Sequence, residues 1–211
     1  GDHRDLHLSI RRQRQMCIRD SLYSLIMVST VSLFQSILEA QEKNGGLPPV
    51  EKWNPPLCEN VNMRISRDGK WYFMNSIISR EKMVNLFSSV IRFDDDGFYY
   101  LVTPHEKIRL VVEDKPFVVT TYNKEIVDGQ ETFLFKTNVG DIVPLNSSHP
   151  LRIEISESDE PSPYILVRKN LEALLTRNVF YQLVEEANSD EINKELFITS
   201  SKERFSLGSF E

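Results

Sequence analysis

Two stretches of the sequence repeat the same order of elements and decide the predicted fold. They are "MRISRDGKWYFMNSIISREKMVNLFSSVIR" (63–92) and "LRIEISESDEPSPYILVRKNLEALLTRNVFYQLVE" (151–185). Each reads as a strand, a turn, an aromatic strand and an amphipathic helix. A matching pair of strands follows each stretch, in "YYLVTPHEKIRL" (99–110) and "LFITSSKERFSL" (196–207). Four elements in the same order indicate an internal duplication.

The duplication predicts an α+β fold with two related halves. Each half is expected to be a curled antiparallel sheet that packs on one long amphipathic helix. The first helix is predicted from a possible cap at Ser79 and from apolar residues at helical spacing, namely Met83, Phe87, Val90 and Ile91. The second helix is predicted over residues 171–187, with Asn170 as its cap.

The chain divides into four predicted segments. Residues 1–26 form a leader, and residues 27–57 form an N-terminal helix followed by a proline-rich linker. The first α+β unit covers residues 58–114 and the second covers residues 115–211. The join between the units is expected near "VEDKPF" (112–117).

The leader allows three interpretations. Its arginines suit a basic nucleic-acid arm, or the start of an export signal that continues into the apolar residues 22–38. Seven residues of that stretch are polar or tyrosine, which makes it too polar for an export signal or a bilayer span. "RRQRQMCIRDS" (11–21) instead resembles translated sequencing-adaptor read-through. We therefore expect residues 1–26 to be non-native and disordered, with Met27 as the natural start.

The composition limits the partners and the compartment. The 211 residues carry a net charge of −6, and residues 27–211 carry 20 basic against 28 acidic side chains. An acidic protein lacks the concentrated basic face that nucleic-acid binding requires, so neither a nucleic acid nor a membrane is expected as a partner. Two cysteines cannot form a disulfide framework. A cytoplasmic location is therefore predicted.

No motif in the sequence predicts catalysis. The four histidines are scattered, and His105 with Glu106 does not begin an H-E-x-x-H motif because position 109 is arginine. We expect no metal and no cofactor, and predict a non-catalytic protein. Since active sites also assemble from distant residues, an enzyme with His105 or Glu106 as acid or base stays an alternative.

Arginines and amides at strand ends and turns are the candidate binding residues. They are Arg64, Arg67, Arg80, Arg92, Lys107, Arg109, Asn138, Arg152 and Arg168. Guanidinium groups bind phosphate or carboxylate through two parallel hydrogen bonds, so the expected anion contacts are Arg64, Arg92, Lys107 and Arg168. Trp71 and Tyr99 are expected to stack on a planar group of the ligand. Its polar atoms are expected to form hydrogen bonds with Thr103, Glu106 and Asn138. In the alternative interpretation the arginines only pair with nearby carboxylates and hold turns and the interdomain seam.

From Leu47 to Ala187 the chain resembles a proteobacterial family of uncharacterised proteins, a numbered domain of unknown function. The resemblance rests on segments such as "LPPVEKW" (47–53), "MRISRDGKWYF" (63–73) and "FKTNVGD" (135–141). It implies a duplicated core, a C-terminal half similar to the pleckstrin-homology fold, and an interface pocket for a nucleotide-like ligand in signal transduction.

These observations together predict a function. We expect a non-catalytic protein that binds a nucleotide-like or phosphorylated small molecule at the interface of its halves in bacterial signalling. Two alternatives stay open: an enzyme that acts on a phosphorylated substrate, and a protein-interaction module that uses an exposed strand edge.

Overall fold

The computed structural model describes residues 37, 47–157 and 159–210, and within them the chain is mostly β-sheet with two short α-helices. The first half contains β1 (Leu57–Ile65), β2 (Trp71–Phe73), β3 (Ser76–Ile77), α1 (Glu81–Ser88), β4 (Ile91–Phe93), β5 (Tyr99–Val102) and β6 (Lys107–Val112). The second half contains β7 (Phe117–Val127), β8 (Gln130–Thr137), β9 (Ile142–Pro144), β10 (Leu151–Ile155), β11 (Pro161–Arg168), β12 (Leu171–Leu175), α2 (Arg177–Glu185), β13 (Asn188–Asp190), β14 (Glu195–Ser200) and β15 (Glu203–Ser209).

The two halves share one sheet topology. The strand order is β3-β2-β1-β6-β5-β4 in the first sheet, and β9-β8-β7-β12-β11-β10 in the second when it is written in the same direction. In each sheet the first and last strands pair in parallel at the centre, and the other pairs are antiparallel. The expectation of purely antiparallel sheets is therefore corrected.

The repeat begins at a different place from the one predicted. The sheet order makes β1 equivalent to β7, whereas the sequence comparison aligned residues 63–65 of β1 with residues 151–153 of β10. Strand–turn–strand–helix is a local pattern, and it does not reveal which strands pair across the chain. The helices are not equivalent either, because α1 lies between β3 and β4 while α2 follows β12.

The predicted second helix begins too early. Residues 171–175 form strand β12, which pairs in parallel with residues 117–119 of β7, and α2 starts only at Arg177. Leu171, Ala173 and Leu175 are buried in alternation, which is the period of a strand. Asn170 does not cap a helix, since its Nδ2 donates to the Phe93 carbonyl oxygen at 3.1 Å.

The first helix is also shorter than predicted. It ends at Ser88, so Val90 and Ile91 lie beyond it, although both are buried. Arg80, not Ser79, occupies the position before its first residue, and no side-chain hydrogen bond caps it. The two helices have eight and nine residues, so the long amphipathic helix expected in each half is corrected to a short one.

The core is continuous across both halves. One cluster of buried apolar residues includes Trp71 and Phe87 from the first half and Phe117 and Phe135 from the second. A third sheet, β13-β14-β15, adds apolar side chains to the same cluster. Ile37, which is helical and fully buried, also belongs to it.

Part of the predicted organisation lies outside the described residues. This applies to the leader (1–26) and to the predicted N-terminal helix, of which only Ile37 is described. In the linker that follows, Val50–Lys52 form a 3₁₀ turn. In the described part of the chain no helix has the length and apolar character needed to cross a membrane.

Candidate functional site

The halves contact each other at the turn between β1 and β2. Asn138 accepts from the Val118 backbone N–H at 3.0 Å through its Oδ1 and donates to the Gly69 carbonyl oxygen at 3.1 Å through its Nδ2. Gly69 has a φ of +79°, and a Cβ there would lie 2.6 Å from Asn138 Nδ2. Glycine is therefore required twice, by the backbone conformation and by the close approach.

Charged residues of both halves lie beside this contact, and the hydrogen bond between Tyr164 and Asp114 joins the halves. Asp114 forms an ion pair with Arg67, whose Nε lies 3.0 Å away, and accepts a hydrogen bond from the Tyr164 hydroxyl at 3.0 Å. Glu172 receives Lys115 Nζ at 2.8 Å and both Nε and Nη2 of Arg152, at 2.5 and 2.7 Å. The hydrogen bonds from Arg152, with help from Lys115 and against the effect of burial, lower the pKa of Glu172 from 4.5 to about 2.

A second set of contacts joins the halves near α1. Arg168 on β11 donates to the Ser88 carbonyl oxygen at the end of α1 at 2.6 Å. Arg168 Nη1 lies 2.7 Å from the Asp141 carboxylate, and the guanidinium lies 4.7 Å from the centre of the Phe117 ring. Arg168 is thus a structural link between the halves.

Residues of both halves line a cleft of about 480 Å³ at this seam, which we call the seam cleft. The turn after β1 contributes Arg67 and Asp68, whereas the other lining residues come from the second half. The apolar lining includes Val118, Leu174 and Phe180. Ser162 belongs to the polar lining, and its hydroxyl accepts from Arg67 Nη2 at 3.0 Å.

The seam cleft carries positive groups that are open to solvent. The side chains of Arg67 and Arg177 are 59% and 74% exposed. Arg177 lies 3.0 Å from Glu160, in an exposed ion pair of the kind that contributes little to stability. Arg177 is also the first residue of α2, whose N-terminus has no side-chain cap and no acidic residue in its first turn. The backbone N–H groups and the dipole of that turn favour an anion.

The four predicted anion contacts are all engaged within the protein. Arg64 pairs with Glu113, and Arg168 pairs with Asp141. Arg92 and Lys107 both contact Asp94, with Arg92 Nε at 2.5 Å and Lys107 Nζ at 2.6 Å. Arg92 also donates to the carbonyl oxygens of Val50 and Trp53 at 2.8 and 2.7 Å. The geometry favours the alternative interpretation, in which these cations hold turns and the seam.

The two predicted stacking residues point toward the protein interior. Trp71 is 1% exposed and stacks on Phe87 with 6.2 Å between ring centres. Its Nε1 has no hydrogen-bond partner among the described residues. Tyr99 is half-buried against Phe93, and burial raises its pKa to about 12. Neither ring offers a stacking platform for a ligand in this structure.

The three residues predicted to hydrogen-bond polar atoms of a ligand form contacts within the protein. Thr103 is fully buried, and its Oγ1 accepts from the backbone N–H of His105 at 3.3 Å and of Glu106 at 3.1 Å. The Cys58 thiol donates to Glu106 Oε2 with 3.8 Å between sulfur and oxygen, and burial raises the pKa of both groups. Asn138 forms the contact with Gly69 described above.

The sequence therefore did not identify the residues of the seam cleft. None of the nine predicted site residues lines it, although Arg67 belongs to the wider group of candidate arginines. Arg177 was missed because the predicted helix began six residues too early, which hid its N-terminus. In the described residues, no group of three His, Cys, Asp or Glu side chains could hold a metal ion.

Models of one family match most of the chain. "Domain of unknown function (DUF1285), N-terminal domain" matches residues 48–115, and "Protein of unknown function (DUF1285), C-terminal domain" matches residues 116–207. A crystal structure of a DUF1285 family protein from Silicibacter pomeroyi DSS-3 is 36% identical with a TM-score of 0.70, over 78% of this chain and 88% of that one. One from Shewanella baltica OS155 is 24% identical with a TM-score of 0.49, over 62% and 96% of the two chains. No curated protein matches the chain.

Proposed function

The chain belongs to the DUF1285 family, as the sequence predicted, and we propose that it is a non-catalytic protein that binds an anionic small molecule in the seam cleft. The observation that carries the proposal is that both halves line one cleft whose rim bears the exposed guanidinium groups of Arg67 and Arg177. The ligand class is a phosphorylated molecule with an apolar or planar part, such as a nucleotide.

The size and lining of the cleft support a small molecule. Its volume of about 480 Å³ lies within the range of small-molecule sites, about 300–1,000 Å³. Val118, Leu174 and Phe180 provide an apolar surface, and the rim supplies a few polar groups that would fix an orientation. Small-molecule sites usually combine such an apolar surface with a few polar groups.

Two exposed guanidinium groups and the N-terminus of α2 support an anionic group on the ligand, and the cleft lining also contains the carboxylates of Asp68 and Glu160. A phosphate at this rim would accept from Arg177 and from the first backbone N–H groups of α2. Arg67 would approach it from the first half, since its guanidinium is more than half exposed despite its contacts with Asp114 and Ser162. Guanidinium groups bind phosphate with two parallel hydrogen bonds.

Such a ligand would couple the two halves. It would contact the turn after β1 on one side and α2 on the other, so its binding energy would favour the arrangement in which these elements lie close together. A role in bacterial signalling, a cytoplasmic location and a pleckstrin-homology-like C-terminal half belong to this proposal. The signalling role and the pleckstrin-homology-like half are supported by the family resemblance, and the cytoplasmic location by the two cysteines, which cannot form a disulfide framework.

A thermal-shift screen tests the proposal. Nucleoside mono- and diphosphates, cyclic dinucleotides and sugar phosphates are added to the full chain. A ligand at 100 times its Kd should stabilise the fold by about 2.7 kcal/mol, or roughly 5–10 °C for a chain of this size. R67A and R177A should reduce the shift, whereas R80A, at an exposed arginine remote from the cleft lining, should preserve it.

Two results would contradict the proposal. One is a screen in which no phosphorylated compound raises the melting temperature. The other is a shift of equal size in R67A, R177A and the R80A control, which would locate the ligand elsewhere. Release of inorganic phosphate or another product in the same samples would favour the enzymatic alternative.

A further inference from the structure

One face of the first sheet lies opposite the core and carries a row of basic, aromatic and aliphatic side chains. We call it the basic–aromatic face and define it by Arg64, Tyr72, Phe98, Arg109 and Val111. Arg64 on β1 lies directly opposite Tyr72 on β2 and Val111 on β6. Arg109 and Val111 alternate along β6 with the buried residues Ile108 and Leu110, which places them on the side away from the core.

Cations lie over the aromatic rings of this face. The Arg64 guanidinium lies 4.1 Å from the centre of the Tyr72 ring, and the Arg109 guanidinium lies 3.4 Å from the centre of the Phe98 ring. Lys107 lies in the same way over Tyr100, at 3.6 Å. These contacts restrict the cationic side chains, so less conformational freedom is lost when a partner binds them.

Arg109 differs from the other cations of this side of the sheet. Arg64 pairs with Glu113, while Arg92 and Lys107 pair with Asp94. The Arg109 side chain is exposed, and within the described residues its guanidinium has neither a carboxylate partner nor a hydrogen bond. Among the described residues it therefore presents one unpaired positive charge and unused hydrogen-bond donors beside the Phe98 ring.

Exposed apolar side chains surround that charge. Phe98, beneath Arg109, is 40% exposed, and Val111, two residues further along β6, is 55% exposed. Arginine and aromatic residues are enriched at the centres of protein interfaces.

We propose that the basic–aromatic face binds an acidic segment of a partner protein. A carboxylate of the segment would accept two hydrogen bonds from Arg109, and apolar side chains beside it would pack on Val111 and Phe98. Charge complementarity selects this partner, because Arg109 lacks the carboxylate that the neighbouring cations already have. The inference is independent of the ligand proposed for the seam cleft, which none of these residues lines.

A single-stranded nucleic acid fits this face less well. Its bases would need free ring faces, but cations cover Tyr72, Tyr100 and Phe98. Its phosphates would need several free cations, whereas Arg64, Arg92 and Lys107 already pair with the carboxylates of Glu113 and Asp94.

Selection from a library of random peptides displayed on phage, against the immobilised full chain, tests the proposal. We expect the selected peptides to share an Asp or Glu beside apolar residues. Their affinity, measured by titration calorimetry with synthetic peptides, should fall about tenfold or more in R109E and in V111D. R80E is the matched control and should bind as the wild type does, since Arg80 is an exposed arginine that also lacks a partner among the described residues. The affinity of R109Q should also fall, because it removes the positive charge without adding a negative one, and this variant guards against misfolding of R109E.

Several results would overturn the proposal. They are a selection that yields no binding peptide, selected peptides without acidic residues, and affinities that are equal in R109E and R80E. Binding of an oligothymidylate that R109E abolishes would assign the face to nucleic acid instead. Self-association of the wild type, lost in R109E and detected by light scattering, would assign it to a second copy of the chain.

Discussion

The two halves repeat one sheet order but differ in what packs on their sheets. In the first half the described residues that cover the sheet are α1, the 3₁₀ turn at Val50–Lys52 and the core, and Arg109 and Val111 of the basic–aromatic face stay exposed. The second half continues beyond its sixth strand into α2 and the sheet β13-β14-β15, which pack on it. The repeated topology therefore supplies a scaffold, and the unequal additions create the two candidate sites. The N-terminus of α2 borders the seam cleft, and the first sheet carries the basic–aromatic face.

The largest expected effect tests whether the unequal halves fold as one unit. Trp71 in the first half and Phe135 in the second are buried in one continuous cluster. Replacing either residue with alanine should lower the free energy of unfolding by about 3–5 kcal/mol, because the transfer energy is lost and a cavity remains. Denaturation by urea, followed by circular dichroism, should show a single transition in W71A and in F135A. Two separate transitions, with only one displaced by each variant, would show that the halves unfold independently.

The next effect concerns the charged network of the second half. The folded-state pKa of Glu172 is about 2, below its ordinary value of 4.5. Ionised Glu172 therefore stabilises the folded state above pH 4.5, and this stabilisation is lost as the pH falls toward 2. A pKa shift of this size corresponds to about 3 kcal/mol. The stability of the wild type should fall more steeply over this range than that of E172Q. E160Q, which alters an exposed pair, should follow the wild type, and equal slopes in E172Q and wild type would contradict the assignment.

A smaller effect tests the contact between the halves at Gly69. Gly69 and Gly97 have nearly equal φ values of +79° and +80°, but only Gly69 has a neighbour in the space that a Cβ would occupy. G97A should cost about 1 kcal/mol for the left-handed backbone conformation alone. G69A should cost about 1–2 kcal/mol more, because Asn138 must move and its hydrogen bonds weaken. Equal losses in urea denaturation would mean that the seam adapts to the added methyl group.

The same comparison of halves explains what the sequence could predict. The hairpin of β1 and β2 was predicted correctly because the Asp-Gly turn at 68–69 is a local signal. Strand β12 was missed because "LEALL" suits a helix or a strand, and only pairing with residues 117–119, more than fifty positions away, decides between them.

The predicted site residues lie outside the seam cleft for a related reason. Trp71 is predicted to stack on a ligand, but it is buried, whereas Tyr72, the next residue along β2, belongs to the basic–aromatic face. Tyr99 is half-buried, and its neighbour Tyr100 is only 5% exposed. A shift of one residue along a strand exchanges the buried face for the exposed face. The composition of the strands does not state which aromatic residue faces the core, since that depends on where the rest of the molecule packs.

The smallest expected effect separates binding from stability on the basic–aromatic face. Arg109 is exposed and contacts Phe98 through a cation–π interaction, which contributes about 0.5–1 kcal/mol at exposed sites. R109Q should therefore lower the free energy of unfolding by no more than about 1 kcal/mol, in contrast to the core variants W71A and F135A. V111T, at an equally exposed position of the same strand, should change stability by less than about 0.5 kcal/mol. A loss of several kcal/mol in either variant would show that another part of the chain packs on this face. In that case the uncompensated charge of Arg109 would be serving the fold of this chain, and the sheet would not be free to receive a partner.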